Sequence, residues 1–300
     1  MCGIAGLISC SKVDAALVRR MAAAIAHRGP DDAGVWIDQD AGVGLGHRRL
    51  SIVDLSPSGH QPMISNDGRW VLDYNGEIYN HAAMRATLDE DKRGPANNGV
   101  PWRGHSDTET LIECIAAWGL DRALDQAVGM FAFALWDRKD RKLHLVRDRF
   151  GEKPLYYGWA AGSFVFASEL KAIRALDGFD NAIDRRAVKA LAARNYIPAP
   201  LSIYKRLFKL PPGAILTADD RQRRSVDVAV GGHVDQLDGG AGSCGQPVGD
   251  RLALRAGQPA GPGADAQRRG RGPRWAGRHV RSPPGVGQRP VRGRARPRRG

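Results

Sequence analysis

Three groups of residues in this sequence have types and spacings that could do chemistry. The first is Cys2. If Met1 is removed, Cys2 becomes the N-terminal residue and its α-amine lies within reach of its own thiol. A free α-amine titrates at about 7.7–8.0, so much of it can act as a base near neutral pH. One residue then carries both nucleophile and base, and Gly3 beside it leaves room for a substrate to approach. The plain alternative is an inert, buried second residue. The second group is Asn75-Gly76-Glu77, which follows a strand-like run. An amide side chain and a glycine N–H at a strand end can form an oxyanion hole, or they can simply make a hairpin turn. The third is Arg48-Arg49 together with Asp107. Arginine grips a carboxylate in bidentate fashion and a carboxylate accepts from an ammonium, so the set could recognise an α-amino acid. Taken singly, each is an ordinary solvated charge.

The elements that must position these residues follow from the apolar pattern. Gly3–Ser9 is a short apolar run and reads as a buried strand. Val13–His27 reads as a helix with Val13, Leu17 and Met21 on one face, broken at His27-Arg28-Gly29-Pro30-Asp31. Strands are predicted over Gly34–Ile37, Val43–Arg48 and Trp70–Tyr74, the last ended by the Asn75-Gly76 turn signal. His81–Leu88 reads as a helix and Lys92–Gly104 as a polar loop. Ser106-Asp107-Thr108-Glu109 fits a capping box at the start of a helix running to about Trp118. Met130–Trp136 and Lys142–Arg147 read as two strands joined by a polar turn, followed by strand patterns at Leu155–Tyr157 and Phe164–Ala167. Asp184–Arg194 is a final short helix. Many strands between few helices favour a layered α+β fold over a doubly wound one.

The charge divides the chain. Residues 221–300 hold 17 Arg and 5 Asp with no Lys or Glu, a net +12, whereas residues 1–220 carry only +1 of the total +13. The same 80 residues contain no Ile, Phe, Tyr or Met. So little apolar surface with so much charge predicts a disordered basic tail over 219–300. One folded domain over 2–218 remains, long enough for a substantial core. The four cysteines have irregular spacing and form no metal-type array with histidine, so no zinc site is expected. No apolar run approaches the roughly 18 residues of a membrane span, and the N-terminus lacks the basic region of a secretory signal. A reducing cytoplasm is the expected compartment. Cys10 and Cys114 read as small buried thiols, and none of His47, His60, His81 and His105 is assigned a catalytic role.

The segments MCGIAGLI, HRGPDD, GLGHRRLSIVDLSPSGHQPM, YNGEIYNH, HSDTET, GMFAFALWDR, RDRFGEKPLYYG, ASELKAI and KLPPG occur in order over residues 2–217. Together they resemble the N-terminal, class II glutamine amidotransferase half of glutamine-hydrolysing asparagine synthetases. The resemblance implies an N-terminal-nucleophile hydrolase fold, an αββα sandwich of two antiparallel sheets. It implies that Cys2 is the nucleophile with its α-amine as base, and that Asn75 and Gly76 form the oxyanion hole. Arg49 would hold the α-carboxylate of glutamine and Asp107 its α-amino group. Glu77 would bind beside the scissile amide, and the backbone around Ile52 and Val53 would add contacts. Arg28 and Asp31 would organise the loop over the site. Glu152 departs from the family pattern, which often has an apolar residue there.

In that family ammonia passes to a second domain that uses ATP and Mg to adenylate aspartate; the glutaminase step itself needs no cofactor. The phosphate loop of that domain, S-G-G-x-D-S, does not occur in this sequence. The expected function is therefore glutamine hydrolysis, with glutamine and an ammonia-accepting domain as partners and complete asparagine synthesis not expected of this chain alone. Alternatives are an amidotransferase with another acceptor and a truncated product without activity. The composition of the tail predicts an out-of-frame reading of a GC-rich gene, against the competing reading of a nucleic-acid-binding extension.

Overall fold

The structure is a computed structural model that describes residues 1–94, 97–98, 100–219, 225–230 and 233–238. Two antiparallel sheets lie face to face. The first contains β1 (Gly3–Ile8), β2 (Asp32–Asp38), β3 (Val43–Arg49), β10 (Tyr156–Ala160), β11 (Ser163–Ala167) and β12 (Leu207–Lys209). Their order is β12-β10-β11-β1-β3-β2. The second contains β4 (Met63–Ile64), β5 (Trp70–Ile78), β8 (Gly129–Asp137), β9 (Lys142–Arg147), β13 (Ala214–Asp219), β14 (Ser225–Val230) and β15 (His233–Asp238). It runs β15-β14-β13-β9-β8-β5-β4, and a separate small hairpin joins β6 (Arg93–Gly94) to β7 (Asn97–Asn98). The helices are α1 (Ala15–Ala23), α2 (His81–Lys92), α3 (Asp107–Trp118), α4 (Leu120–Gln126), α5 (Leu170–Arg174) and α6 (Arg185–Arg194).

Strand alternation sorts the apolar residues into three layers. Ile4, Ile8, Val43, Leu45, Val71, Ala132, Ala134 and Trp136 are buried between the sheets. Ala5, Leu7 and Val165 turn to the opposite face of the first sheet and meet Val18, Met21 and Ile173 of α1 and α5. Leu72, Tyr74, Phe131 and Phe133 turn to the outer face of the second sheet and meet Met84, Leu111, Ile112 and Leu124 of α2, α3 and α4. Helix, sheet, sheet and helix are thus stacked as the resemblance implies. In β3 the outward positions Gly44 and Gly46 let α1 come close: a Cβ at Gly44 would meet Val18 Cγ2 at 2.6 Å.

Ser106 caps α3 as expected, its Oγ accepting from the Glu109 N–H at 3.1 Å. The other half of the capping box is replaced. The Glu109 carboxylate accepts from the N–H groups of Arg103 (2.6 Å) and Gly104 (2.9 Å), which pins the segment before the helix. The expected helix over Val13–His27 is shorter, capped by Asp14 and closed by a 3-10 turn at Ala26–Arg28. Two further differences matter. The Asn75-Gly76 pair is not a turn: β5 runs through it, with Asn75 opposite Ala132 and Gly76 opposite Phe131. The predicted boundary at residue 218 is also passed, because β14 pairs with β13 and β15 with β14 inside the stretch expected to lack structure. The remainder of the expected tail, residues 239–300, lies outside the described residues.

Candidate active site

Cys2 precedes β1, and His47 and Arg49 end β3 beside it; Ile4 lies opposite His47. Continued alternation places Cys2, His47 and Arg49 on the face that carries Ile4, Val43 and Leu45. On β5 the same rule places Asp73, Asn75 and Glu77 after Val71, facing the first sheet. The two inner faces converge at this end on a cavity of about 140 Å³. Cys2, Arg49, Ile52, Val53, Asn75, Gly76, Glu77 and Asp107 all line it, whereas Arg48 lies outside the lining and donates from Nε to the Gly29 carbonyl at 3.0 Å.

The Cys2 sulfur accepts from the Leu50 N–H at 3.4 Å, and its thiol reaches the Leu50 carbonyl at 3.7 Å. Burial pushes this thiol up. The neighbouring His47, the Leu50 N–H and the N-terminal amine outweigh burial and hold the thiol below its usual value. Arg28 fixes the strand start by donating from Nε to the Cys2 carbonyl (2.9 Å) while Nη1 pairs with Glu169 at 3.0 Å. Asp31 holds the rim, its Oδ2 accepting from the Ser51 N–H at 2.8 Å.

Asn75 is buried with its Nδ2 unpartnered. Gly76 has no room for a side chain, since a Cβ would meet the Met130 oxygen at 2.5 Å and Phe131 Cβ at 2.6 Å. β4 pairs with β5 only at Val71 and Leu72, so the edge of β5 beyond them is open. On that edge the Tyr74 N–H donates to Gln61 Oε1 (2.7 Å) and the Ile78 N–H to Asp107 Oδ2 (2.9 Å). N–H groups alternate along an antiparallel strand, so that of Gly76 points to the same edge, between these two.

Arg49 is buried and turned toward the rim. Its guanidinium donates to the Ser56 carbonyl at 3.0 Å and to the Asp54 carbonyl. Asp54 in turn accepts from the N–H groups of Ser56 (2.8 Å) and His105 (3.0 Å). Hydrogen bonding to Ser56 above all holds its carboxyl down to about 2. Ile52 and Val53 are exposed on the same rim. Asp107, in the first turn of α3, is buried; Oδ2 also accepts from the Tyr74 hydroxyl at 2.8 Å, and Oδ1 from the Thr108 N–H at 3.0 Å. Burial and the neighbouring Asp107 push the Tyr74 hydroxyl well up.

Several residues of the site were not singled out in the sequence. Gln61, Tyr74 and Lys153 line the cavity, as does Met1, whose Sδ lies 3.3 Å from Lys153 Nζ. His47, given no role from sequence, is buried and paired through Nδ1 with Asp73 Oδ1 at 2.7 Å. The legible signal was its place in the alternating run Val43, Leu45, His47, Arg49.

A layered sandwich with Cys2 at its cleft is the architecture of the amidotransferases built on the N-terminal-nucleophile hydrolase fold. The chain belongs to the family described as glutamine amidotransferase domain, which matches residues 1–227. A protein of Methanocaldococcus jannaschii, provisionally named a glutamine-hydrolysing asparagine synthetase, is 38% identical over 230 residues, covering 70% of this chain and 42% of its own length. The glutamine-hydrolysing asparagine synthetase 1 of Bacillus subtilis is 33% identical over 222 residues, covering 72% of this chain and 33% of its own length. The chain thus spans well under half the length of these relatives. Among solved structures, the glutamine phosphoribosylpyrophosphate amidotransferase of B. subtilis shares the fold with a TM-score of 0.56 at 17% identity, over 78% of this chain and 50% of the other. Among the described residues no helix is long and apolar enough to cross a membrane.

Proposed function

We propose that residues 2–218 form a glutaminase that hydrolyses glutamine to glutamate and ammonia through a thioester on Cys2, acting once Met1 is gone. The reading is carried by one observation: Cys2, Asn75, Gly76, Arg49, Glu77 and Asp107, far apart in sequence, line a single cavity. The α-amine of Cys2 takes the thiol proton and the sulfur attacks the side-chain carboxamide carbon. The oxyanion that forms accepts from Asn75 Nδ2 and the Gly76 N–H, and losing one such donor raises the barrier by about 2.7–4 kcal/mol. The carbon–nitrogen bond breaks as the amine passes its proton to the departing nitrogen. Water then attacks the thioester, and glutamate leaves as the thiol regains a proton.

Substrate binding follows from unused capacity. A guanidinium has five N–H donors and Arg49 spends two on the rim carbonyls, leaving others for an α-carboxylate. A carboxylate accepts about four hydrogen bonds and Asp107 already accepts three, which leaves one for an α-ammonium. This half-reaction moves protons and one acyl group, so it calls for no cofactor. The ammonia would serve an acceptor domain using ATP and Mg, with asparagine synthesis the favoured use because the relatives carry that name. The Cys2 thiol would stay reduced in a cytoplasmic setting. The test is glutamate release from glutamine by the full chain and by Cys2→Ala. Release should vanish in the variant, and undiminished release would overturn the assignment.

A further inference from the structure

The rim of the cavity is an exposed loop with one buried carboxylate in it. Ile52, Val53 and Leu55 are exposed, the last at 79%, whereas Asp54 between them is only 9% exposed. Burying a carboxylate is costly unless hydrogen bonds replace its water. Two N–H groups do so here, and they come from different segments. Oδ1 accepts from Ser56 on the rim itself (2.8 Å), and Oδ2 from His105, 51 residues further on (3.0 Å). Ser58 adds a second tie, its Oγ donating to the Arg103 carbonyl at 3.1 Å. The segment so reached is fastened to α3, because Arg103 and Gly104 donate to the Glu109 carboxylate and Ser106 caps the helix.

Each end of this tie is a group that the functional reading uses. On the rim, the Arg49 guanidinium donates to the main-chain carbonyls of Asp54 and Ser56. Gly59 lets it seat there, since a Cβ at that position would come within 2.0 Å of Arg49 Nη2. At the other end, His105 leads through the cap Ser106 into Asp107. Asp54 thus joins the group assigned to the α-carboxylate to the group assigned to the α-ammonium, through its carbonyl on one side and its carboxylate on the other. In an α-amino acid both charges are carried by one carbon, so their separation is covalently fixed. Clamps for the pair must keep a matching gap to within about 0.5 Å. The remaining side-chain anchor on this stretch, Asp31 on the Ser51 N–H, ties the rim to the turn before β2 and not to α3, so it does not set that gap.

We propose that Asp54 is a positioning residue that holds Arg49 and Asp107 at the gap one α-carbon spans, so that the site selects free α-amino acids over amides lacking either charge. The inference rests on the reading of Arg49 and Asp107 as the clamps for the substrate's two charged groups. With Asp54 in place both clamps engage one ligand together. Without it, a ligand held by one clamp meets the other out of register. The loss falls on selectivity, while the folded core is untouched.

The test uses the full chain without Met1, carrying Cys2→Ala so that bound glutamine is not consumed. Calorimetry near neutral pH gives the affinity for glutamine, for 4-carbamoylbutanoate, which lacks the α-ammonium, and for 4-aminobutanamide, which lacks the α-carboxylate. Glutamine should bind at least about tenfold more tightly than either, the contribution of one hydrogen bond between charged groups. Adding Asp54→Asn, which sets an amide N–H against one of the two N–H donors, should cut that preference to about threefold or less. Gly104→Ala should act in the same way from the α3 side, because a Cβ there would meet Asp54 Oδ2 at 2.6 Å. It decides the matter should Asp54→Asn fail to fold. A tenfold preference kept in either folded variant, even with all three ligands weakened alike, marks a mere loop staple and overturns the proposal. Equal binding of the three ligands with Asp54 in place overturns it as well. The glutaminase reading fails by a different result, namely no glutamate released by the chain with Cys2 intact, and that result leaves the ranking of the three ligands unchanged.

Discussion

The space between the two sheets is built by one rule and ends in two opposite ways. At one end Val43, Leu45, Val71 and Trp136 interlock as an apolar core. At the other, the same strands carry on with His47, Arg49, Asp73 and Asn75, and buried nitrogen and oxygen atoms remain unpartnered. The backbone is equally regular at both ends; only the side chains change. The apolar end stabilises the sheets, and the polar end is held in place by that stability while it weakens it. A site of this kind is preorganised because its residues are consecutive rungs of the core rather than tips of loops.

Four substitutions break or sharpen that contrast. Cys2→Ala, at the polar end, should lower glutamate release by at least about 10³-fold with little change in melting temperature; parallel loss of both would erase the division. Asn75→Ala should lower kcat by about 10²–10³-fold, with KM for glutamine far less affected. Steady-state kinetics on the folded variant decide this. Leu45→Ala, one rung from His47, should cost about 2–3 kcal/mol in denaturant unfolding while kcat per folded molecule is kept. The smallest effect is expected at the rim. Asp54 is depressed in the folded chain, so it contributes stability above the ordinary carboxylate value of about 3.9, and that contribution is lost as pH falls through about 2. Asp54→Asn should remove that part of the acid sensitivity, no more than about 1 kcal/mol at this screened position, by unfolding at pH 5 and pH 2.5.

Much of this was legible because it is local. Ser106 announced its helix, and the alternation of β1, β3 and β8 announced the layers. What escaped depended on partners distant in sequence. Asn75-Gly76 has the composition of a turn, yet the strand continues because Gly76 fits against Phe131 and side chains from Gln61 and Asp107 satisfy the open edge. His47 and Asp73 are 26 residues apart on different sheets, and no spacing rule joins them. The short helices α4 and α5 offer too few turns to show a period. The run Ser225–Val230 alternates, but it is six residues inside a stretch whose overall composition is basic and poor in apolar side chains.

The alternation of β5 has a consequence for how this sequence can vary in length. Inserting or deleting a single residue between Val71 and Asn75 would reverse the parity of everything after it, turning Asp73 or Asn75 toward α3 and Tyr74 toward the cleft. A change of two residues keeps the parity and shifts the site along the strand by one rung. Length variants of this segment should therefore survive selection for activity only in even steps, whereas the loop between β7 and α3 is under no such arithmetic.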